Sequence, residues 1–599
     1  MKRNYLTFTP LLFILICITA CNNSTDSAVA GNKQNIAVAS SQIDPQKVEE
    51  IDKLISKYAE YGKFNGSILV SSRGEVIYKQ GFGLANMEWE IPNASDTKHR
   101  LASITKQFTA MLIVQLAAEN KLDLDKPISR YLPNYPSKNG DQITIHHLLT
   151  HSSGTPNFTS FPGYREQMSK FFMQEDIVAL FADLPLEFTP GERFNYSNSG
   201  YVLLGAIIEK VSGKPYEQVL KDKIFIPLKM NNSGYDHNTT VLKNRATGYS
   251  KGLGSFQHAR YLDMSLPFAA GAIYSTVEDL HRWDQALYSE KLLPKEYRDL
   301  LFETHIPDGG SHYGYGWVIG EMPIGNSPEE SATIGHSGGI NGFNTLITRF
   351  PADSSMVVLL NNTGGAPLKE MTIAINGILN DKAYDSPKQS IAHLVLAMIH
   401  KEGMSEALAR YELLKDSTNY SLDESEMNML GYELMNADKM EDALVIFKLN
   451  VDAFPNAFNV YDSYGEALLS SGEESKGIEN YIRSIQLNPK NNNARRVLKG
   501  LGVDPEDMLI KEPLSYLKLL VGEYITAANR QGTNDEWKIV FTEENGVLYG
   551  DDAGYRYTIV PVGEGKFVNP DDGAILEFDT SDKASISMVL FGRFTFKKQ

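Results

Sequence analysis

The sequence predicts three consecutive structural regimes: an α+β domain, an array of helices and a small all-β domain. Three observations carry this expectation. From about residue 44 to 384, strand patterns open and close the segment and helical patterns lie between them, which brings the two ends of the segment into one sheet. From about residue 390 to 501 only helical periodicity remains. There Gly431 and Gly465, Ala443 and Gly477, Phe447 and Tyr481, and Pro455 and Pro489 each recur 34 residues apart. From about residue 513 onward the pattern is short alternating strands, with a hairpin signal at Asn545-Gly546.

Taken in order, residues 48–61 have helical apolar spacing. Residues 66–70 and 75–78 read as strands joined by a turn at Ser72-Arg73-Gly74. Residues 101–118 and 201–211 read as helices, and residues 343–350 and 356–360 as paired strands. In the all-β segment the candidate strands are 537–541, 555–560, 575–578, 585–591 and 593–596, arranged as a sandwich or a barrel.

Composition excludes several classes. The chain has 599 residues, 42% of them hydrophobic and 22% charged, enough for a large buried core. Gly (47) and Pro (26) are at ordinary levels, which excludes a collagen-like or mostly disordered chain. With 57 Lys plus Arg against 74 Asp plus Glu, the net charge is −17. Such a chain repels phosphate backbones, so no nucleic-acid partner and no polybasic membrane surface is expected.

The first 21 residues read as a targeting segment. Lys2 and Arg3 precede an apolar run over 11–20, too short to span a bilayer as a mature helix. The run ends in Ile18-Thr19-Ala20-Cys21, which resembles a bacterial lipobox and implies lipidation at Cys21. Residues 22–43 are a polar tether. Cys17 and Cys21 are the only cysteines, so the remainder of the chain holds no disulfide, thiolate metal site or cysteine nucleophile. The expectation is a bacterial envelope protein held at the membrane through its lipid alone. Within 385–505 the 34-residue period resembles the tetratricopeptide repeat. Ala407 and Tyr411 stand 36 before Ala443 and Phe447 as a degenerate copy, and residues 390–501 are expected to bind a protein partner or to pack on the first domain.

The chemistry is expected at three places. Ser103-Ile-Thr-Lys106 sets a hydroxyl and an amine on one helix face at i and i+3. Serine becomes a nucleophile only when a neighbouring base takes its proton, and a buried lysine of lowered pKa can help do so. A second such spacing, Ser515 to Lys518, reads as chance. Downstream, Tyr196 and Asn198 stand two apart in the loop 194–200, and Gly335-His336-Ser337-Gly338-Gly339 precedes a strand. Together these resemble the penicillin-recognising serine hydrolases: class C β-lactamases, DD-peptidases, D-aminopeptidases and related esterases. That family shows S-x-x-K, Y-x-N and K/H-x-G in this chain order. Phe64-Asn-Gly-Ser67, residues 81–86, Leu148-Leu-Thr-His-Ser-Ser-Gly154, residues 271–276 and Tyr313-Gly-Tyr-Gly-Trp317 extend the likeness over 44–384.

The resemblance implies the family's antiparallel sheet flanked by helices, with an all-helical part beside it. It also implies roles. Ser103 is the acylated nucleophile and Lys106 holds and helps deprotonate it. Tyr196 is general base and acid, as a phenolate favoured by cationic neighbours such as Lys106. Asn198 bonds Lys106 and the substrate amide. The N–H groups of Ser103 and Gly339 form an oxyanion hole, while His336 and Ser337 line the strand, with His336 facing the substrate carboxylate. β-Lactamases of this kind usually carry Lys at position 336. A histidine there, half charged near pH 6.5, points to a D-amino-acid peptide or peptidoglycan-type substrate rather than efficient β-lactam hydrolysis. A carboxylesterase or weak β-lactamase is the alternative within the family. A binding protein of weak turnover, docking a partner on its helices, is the alternative from another class.

Other readings are weaker. Gly335 to Gly339 also fits G-x-S-x-G, but a strand rather than a helix follows Ser337. His146, His147 and His151 lack the glutamate of a zinc helix, so no metal is expected, and no cofactor motif is present. Tyr313, Tyr315 and Trp317 fit either pocket wall or core. The expected division is 1–21, 22–43, 44–384, 385–505 and 512–599.

Overall fold

The computed structural model describes residues 44–529, 536–552, 554–563, 565–570, 574–583, 585–590 and 592–599. The leader, Cys21 and the tether lie outside the described residues, as does Phe591 at the end of one expected strand.

Chain order gives α1 (Pro45–Glu60), β1 (Gly66–Ser72), β2 (Glu75–Phe82), α2 (Thr105–Ala118), α3 (Asn198–Ser212), β3 (Ile306–Asp308), β4 (Ser311–Tyr313), β5 (Val318–Pro323), β6 (Glu330–Ile340), β7 (Phe343–Phe350), β8 (Ser355–Asn361) and α4 (Leu368–Leu379). The strands form one antiparallel sheet in the order β3-β4-β5-β6-β7-β8-β1-β2. The first strand therefore lies against the last, with Gly66 opposite Asn361.

The adjacent strands β1 and β8 carry unbroken apolar runs, over 68–70 and 356–360, because both faces are covered there. Their alternation still separates two cores. Ile68, Val70, Val357 and Leu359 pack with Ile51, Leu54 and Ile55 of α1 and Met371 and Ile375 of α4. Leu69, Met356, Val358 and Leu360 join the larger core containing α2 and α3. Each fully buried aliphatic side chain contributes about 1.5–3 kcal/mol. α1 begins at Asp44, whose carboxylate accepts the Gln46 N–H at 2.9 Å, with Pro45 in the first helical position. α2 is buried on all sides, its apolar run over 110–114 in the core and its polar Thr105, Lys106, Gln107 and Thr109 buried with it.

Seven helices follow: α5 (Ile391–Glu402), α6 (Met404–Leu414), α7 (Glu424–Asn436), α8 (Met440–Ala453), α9 (Phe458–Ser470), α10 (Glu474–Leu487) and α11 (Asn492–Gly500). The recurring glycines have a steric cause. A Cβ on Gly431 of α7 would lie 2.5 Å from the Phe447 ring of α8, and one on Gly465 of α9 would lie 3.0 Å from the Tyr481 ring of α10. Each glycine thus admits the aromatic ring of the next helix.

Both ends of this array are occupied. At the first, the hairpin of Tyr249–Lys251 and Phe256–His258 inserts Leu253 among Ile391, Leu396, Met427 and Leu430. The Glu433 carboxylate there accepts the N–H groups of Leu253 at 2.5 Å and Gly254 at 3.1 Å. At the other, Ala494 and Leu498 of α11 pack with Tyr481 and Ile485 of α10 and with Val503, Met508 and Leu509 of the segment that follows, while Leu487, Phe458 and Tyr461 of α9 and α10 pack on Val560 and Val568 of the last domain.

That domain resolves the choice between sandwich and barrel. Strands β9 (Gly522–Asn529), β10 (Glu536–Glu544), β11 (Val547–Asp552), β12 (Tyr555–Gly563), β13 (Lys566–Val568), β14 (Ile575–Asp579), β15 (Ser587–Leu590) and β16 (Phe594–Lys598) close into a barrel, with Tyr524 of β9 opposite Lys598 of β16. Closure removes both sheet edges. Tyr524, Phe541, Phe567, Phe578 and Phe596 fill its core, joined by Leu517 and Leu520 of the helix Leu514–Leu520. Ser515 and Lys518 of that helix are exposed, consistent with a chance spacing. Among the described residues no helix is long and apolar enough to cross a membrane.

Candidate active site

Ser103 lies in a 3₁₀ turn, Ala102–Ile104, that leads directly into α2. Ala102, just before it, adopts a left-handed backbone with φ +51°. The turn is held against the sheet, where Thr345 of β7 donates its hydroxyl to the Leu101 carbonyl at 2.8 Å. Gly338 of β6 makes this approach possible, because a Cβ there would sit 2.2 Å from the Leu101 oxygen. Ser103 itself is half-buried, while residues on either side are buried.

One helical turn on, the Lys106 side chain is fully buried. Its Nζ is 3.2 Å from Ser103 Oγ, 2.9 Å from Asn198 Oδ1 and 2.9 Å from the Ala270 carbonyl oxygen. Burial holds the Lys106 pKa well below the ordinary lysine value. The partner set suits an uncharged amine. Nζ lies within donating distance of all three oxygens; because Asn198 Oδ1 and the Ala270 carbonyl only accept, an uncharged amine would give its two N–H groups to them and turn its lone pair to the Ser103 O–H.

Asn198 opens α3, and its amide is oriented from both sides. Its oxygen accepts from Lys106, its Nδ2 donates to Thr159 Oγ1 at 3.1 Å, and its backbone N–H donates to Asn157 Oδ1 at 3.1 Å. The Tyr196 hydroxyl bonds Ser103, and Lys106 Nζ lies 4.8 Å from the Tyr196 ring centroid. The expected phenolate does not hold. Burial is the dominant influence on Tyr196 and pushes the phenol above its ordinary value.

His336 also departs from expectation. It is buried at 5% exposure, with Nδ1 donating to the Ser337 carbonyl at 2.6 Å and Nε2 accepting the Tyr313 hydroxyl at 2.9 Å. Burial, with Lys106 as the next cause, lowers its pKa to about 4. The ring is therefore neutral near pH 6.5, not half charged, and both its nitrogens are already bonded within the protein. Ser337 and Gly339 point the other way and are exposed. Residues 336–340 run beyond the part of β6 that pairs with β5, so one edge of the strand is open there.

The site thus brings together Ser103, Lys106, Tyr196 and Asn198, with His336 behind them. Ser337 lies mid-strand with β7 following as a hairpin, which removes the strand-turn-helix needed for a nucleophile elbow. His147 closes a capping box with Thr144, and His146 bonds the Tyr315 hydroxyl at 2.8 Å. Tyr315 and Trp317 are core residues. Sequence reasoning left Tyr313 as pocket wall or core, placed His151 and Thr159 in loops beside the site without giving either a role, and did not find the Ala270 carbonyl. Tyr313 stands in a flagged motif and Thr159 in the loop after His151, but a backbone carbonyl carries no sequence signal.

A stability consequence follows from two buried rings. His99 and His336 are each lowered to about 4, mainly by burial. Between pH 6.5 and 4 the unfolded chain takes up protons that the native rings refuse, so stability falls as pH falls through that window. Denaturant midpoints at pH 7 and 4.5 are expected to differ by a loss on the order of 1–3 kcal/mol per ring, and equal midpoints would contradict the assignment.

Residues 51–378 match the family described as Beta-lactamase, and the chain belongs to that family, whose members are serine hydrolases. Penicillin-binding protein 4* of Bacillus subtilis (strain 168) is 31% identical over 364 residues, covering 57% of this chain and 78% of the relative. Among solved structures, a penicillin binding protein from Bacillus halodurans is 28% identical with a TM-score of 0.47, covering 55% of this chain and 98% of its own. The D-amino acid amidase from Ochrobactrum anthropi SV3 is 27% identical with a TM-score of 0.48, covering 56% and 98%.

Proposed function

We propose that this hydrolase cleaves an amide or ester through an acyl-Ser103 intermediate, with a D-amino-acid peptide or peptidoglycan-type compound as substrate. The observation that carries the mechanism is the partner set of Lys106. Its lone pair takes the Ser103 proton as Oγ attacks the substrate carbonyl carbon. The N–H groups of Ser103 and Gly339 receive the developing oxyanion, a contribution of roughly 10²–10³ in rate per donor. As the carbonyl re-forms and the bond to the leaving group breaks, Tyr196 gives its hydroxyl proton to that group and is reprotonated from Lys106. Water then repeats the sequence in reverse order of groups: it attacks the acyl carbon, loses its proton to the same pair, and releases Ser103.

Asn198 orients Lys106, and Ser337 with Gly339 offers strand edge to the substrate backbone. With His336 neutral and bonded to Tyr313, no charge at that position favours a β-lactam carboxylate. The same feature favours the second reading, an esterase acting on uncharged substrates. Lipid anchoring at Cys21 in a bacterial envelope, and partner docking on tetratricopeptide-like helices over 390–501, are part of the proposal.

Intact-mass spectrometry tests it. With an activated ester or a β-lactam, one acyl adduct is expected, mapping to Ser103 and absent in Ser103→Ala. An adduct that persists in the variant, or one that maps to Ser337, would overturn the assignment.

A further inference from the structure

His151 is fully buried in the site and has no part in the proton transfers above. Two of its hydrogen bonds are made with the loop that carries Tyr196. The His151 carbonyl accepts the Asn195 N–H at 2.8 Å. Its Nδ1 accepts the Ser197 N–H at 3.1 Å. The residues on both sides of Tyr196 are thus tied to one histidine, through its backbone and its side chain. Between the two ties, the imidazole face lies against the Tyr196 ring, with centroids 4.2 Å apart and planes 35° apart. The rings of Tyr201 at 5.0 Å and Tyr313 at 4.8 Å surround the same imidazole and leave it little room to turn.

Two further features show that this residue is specified rather than incidental. His151 has φ +57°, a left-handed conformation uncommon outside glycine but tolerated by Asn, Asp and His. That conformation lets carbonyl and ring reach the same short loop. The tautomer is also fixed. A backbone N–H can only donate, so Nδ1 is the unprotonated nitrogen and Nε2 carries the hydrogen.

We propose that His151 is the positioning residue for Tyr196, setting the direction of the phenol toward Ser103 by bracketing its loop and backing its ring. The proposal rests on the reading of Tyr196 as the group that protonates the leaving group. A small error in the aim of that hydroxyl weakens proton transfer more than it weakens binding.

The test uses the full chain and two esters of one acyl group, one releasing p-nitrophenol and one releasing an aliphatic alcohol. The nitrophenolate departs without help, while the alkoxide needs a proton. His151→Ala is expected to lower the single-turnover acylation rate constant for the aliphatic ester by roughly 10–100-fold and for the nitrophenyl ester by less than about threefold, with the binding constant unchanged. In a Tyr196→Phe background the same substitution should cost less than about threefold with either ester, because there is no hydroxyl left to aim. His151→Asn, whose side chain offers an oxygen near the place of Nδ1 and tolerates the left-handed backbone, should recover part of the loss. It also serves if the alanine variant does not fold.

Equal losses for both esters, or an undiminished loss in the Tyr196→Phe background, overturn the positioning role and leave the reading of Tyr196 intact. If Tyr196→Phe alone leaves turnover of the aliphatic ester within about threefold of wild type, the reading of Tyr196 fails first, and this proposal with it.

Discussion

Lys106→Met removes turnover and removes one proton from the pH dependence of folding. The methionine nearly fills the lysine's volume but offers no lone pair to Ser103, so acylation should slow by about 10²–10⁴-fold, the span attributed to a lost acid–base group. The thermodynamic half has a definite sign. In the native protein burial lowers the Lys106 pKa well below the usual lysine range, whereas in the unfolded chain the amine binds its proton up to about pH 10.5. Between those limits the unfolded state carries one more proton, so wild-type stability climbs with pH by about 1.4 kcal/mol per pH unit on account of this residue. Denaturation midpoints measured from neutral to pH 10 should show that slope in the wild type and a slope reduced by one proton in Lys106→Met. Parallel curves would mean that the amine is charged in the folded protein, and that the lone pair assigned to Ser103 does not exist. Absolute stability at one pH is the poorer measurement, since the variant also leaves Asn198 Oδ1 and the Ala270 carbonyl without a donor.

Tyr196→Phe is expected to keep the fold and lose most catalysis of unactivated substrates, again by about 10²–10⁴-fold. Only an oxygen is removed, and its bond is to Ser103, so the ring's contact with His151 stays. Thermal midpoints should therefore agree closely with wild type while kcat falls. Burial keeps this phenol protonated, so it acts first as a donor. The deficit in the acylation step should accordingly be largest for substrates with basic leaving groups and nearly absent for a nitrophenyl ester. A uniform deficit across leaving groups would place the residue in binding or in activation of Ser103 instead.

Much of the site could be read from the sequence because its signals are local. A serine and a lysine three apart on a helix must share a face, whatever surrounds them. The glycine of the strand motif has a steric reason that needs only its immediate neighbour, the Leu101 carbonyl. The 34-residue offsets survive for the same reason, each glycine facing an aromatic ring of the adjoining helix.

What could not be read depends on contacts far apart in the chain. Whether His336 is charged is decided by its burial beside Lys106 and by the Tyr313 hydroxyl, 23 positions away. His151 gains its importance from a loop that follows 44 positions later, at Asn195. The all-β tail alternates in the same way whether its sheet closes or stays open, and only the pairing of Tyr524 with Lys598 decides for the barrel.

The occupied ends of the helical array bear on how copies of this chain can meet. A stack of helix pairs is a one-dimensional structure, and an uncovered terminal pair presents an apolar face equivalent to the interior of the stack. Such a face accepts another copy head to tail, and an interface of that kind propagates into open filaments unless its geometry closes a ring. Here Leu253 and the carboxylate-held loop terminate one end, and Val503, Met508 and Leu509 cover the last helix at the other. Both terminal faces are thereby occupied from within the chain, and neither presents an unfinished core for a second copy to extend.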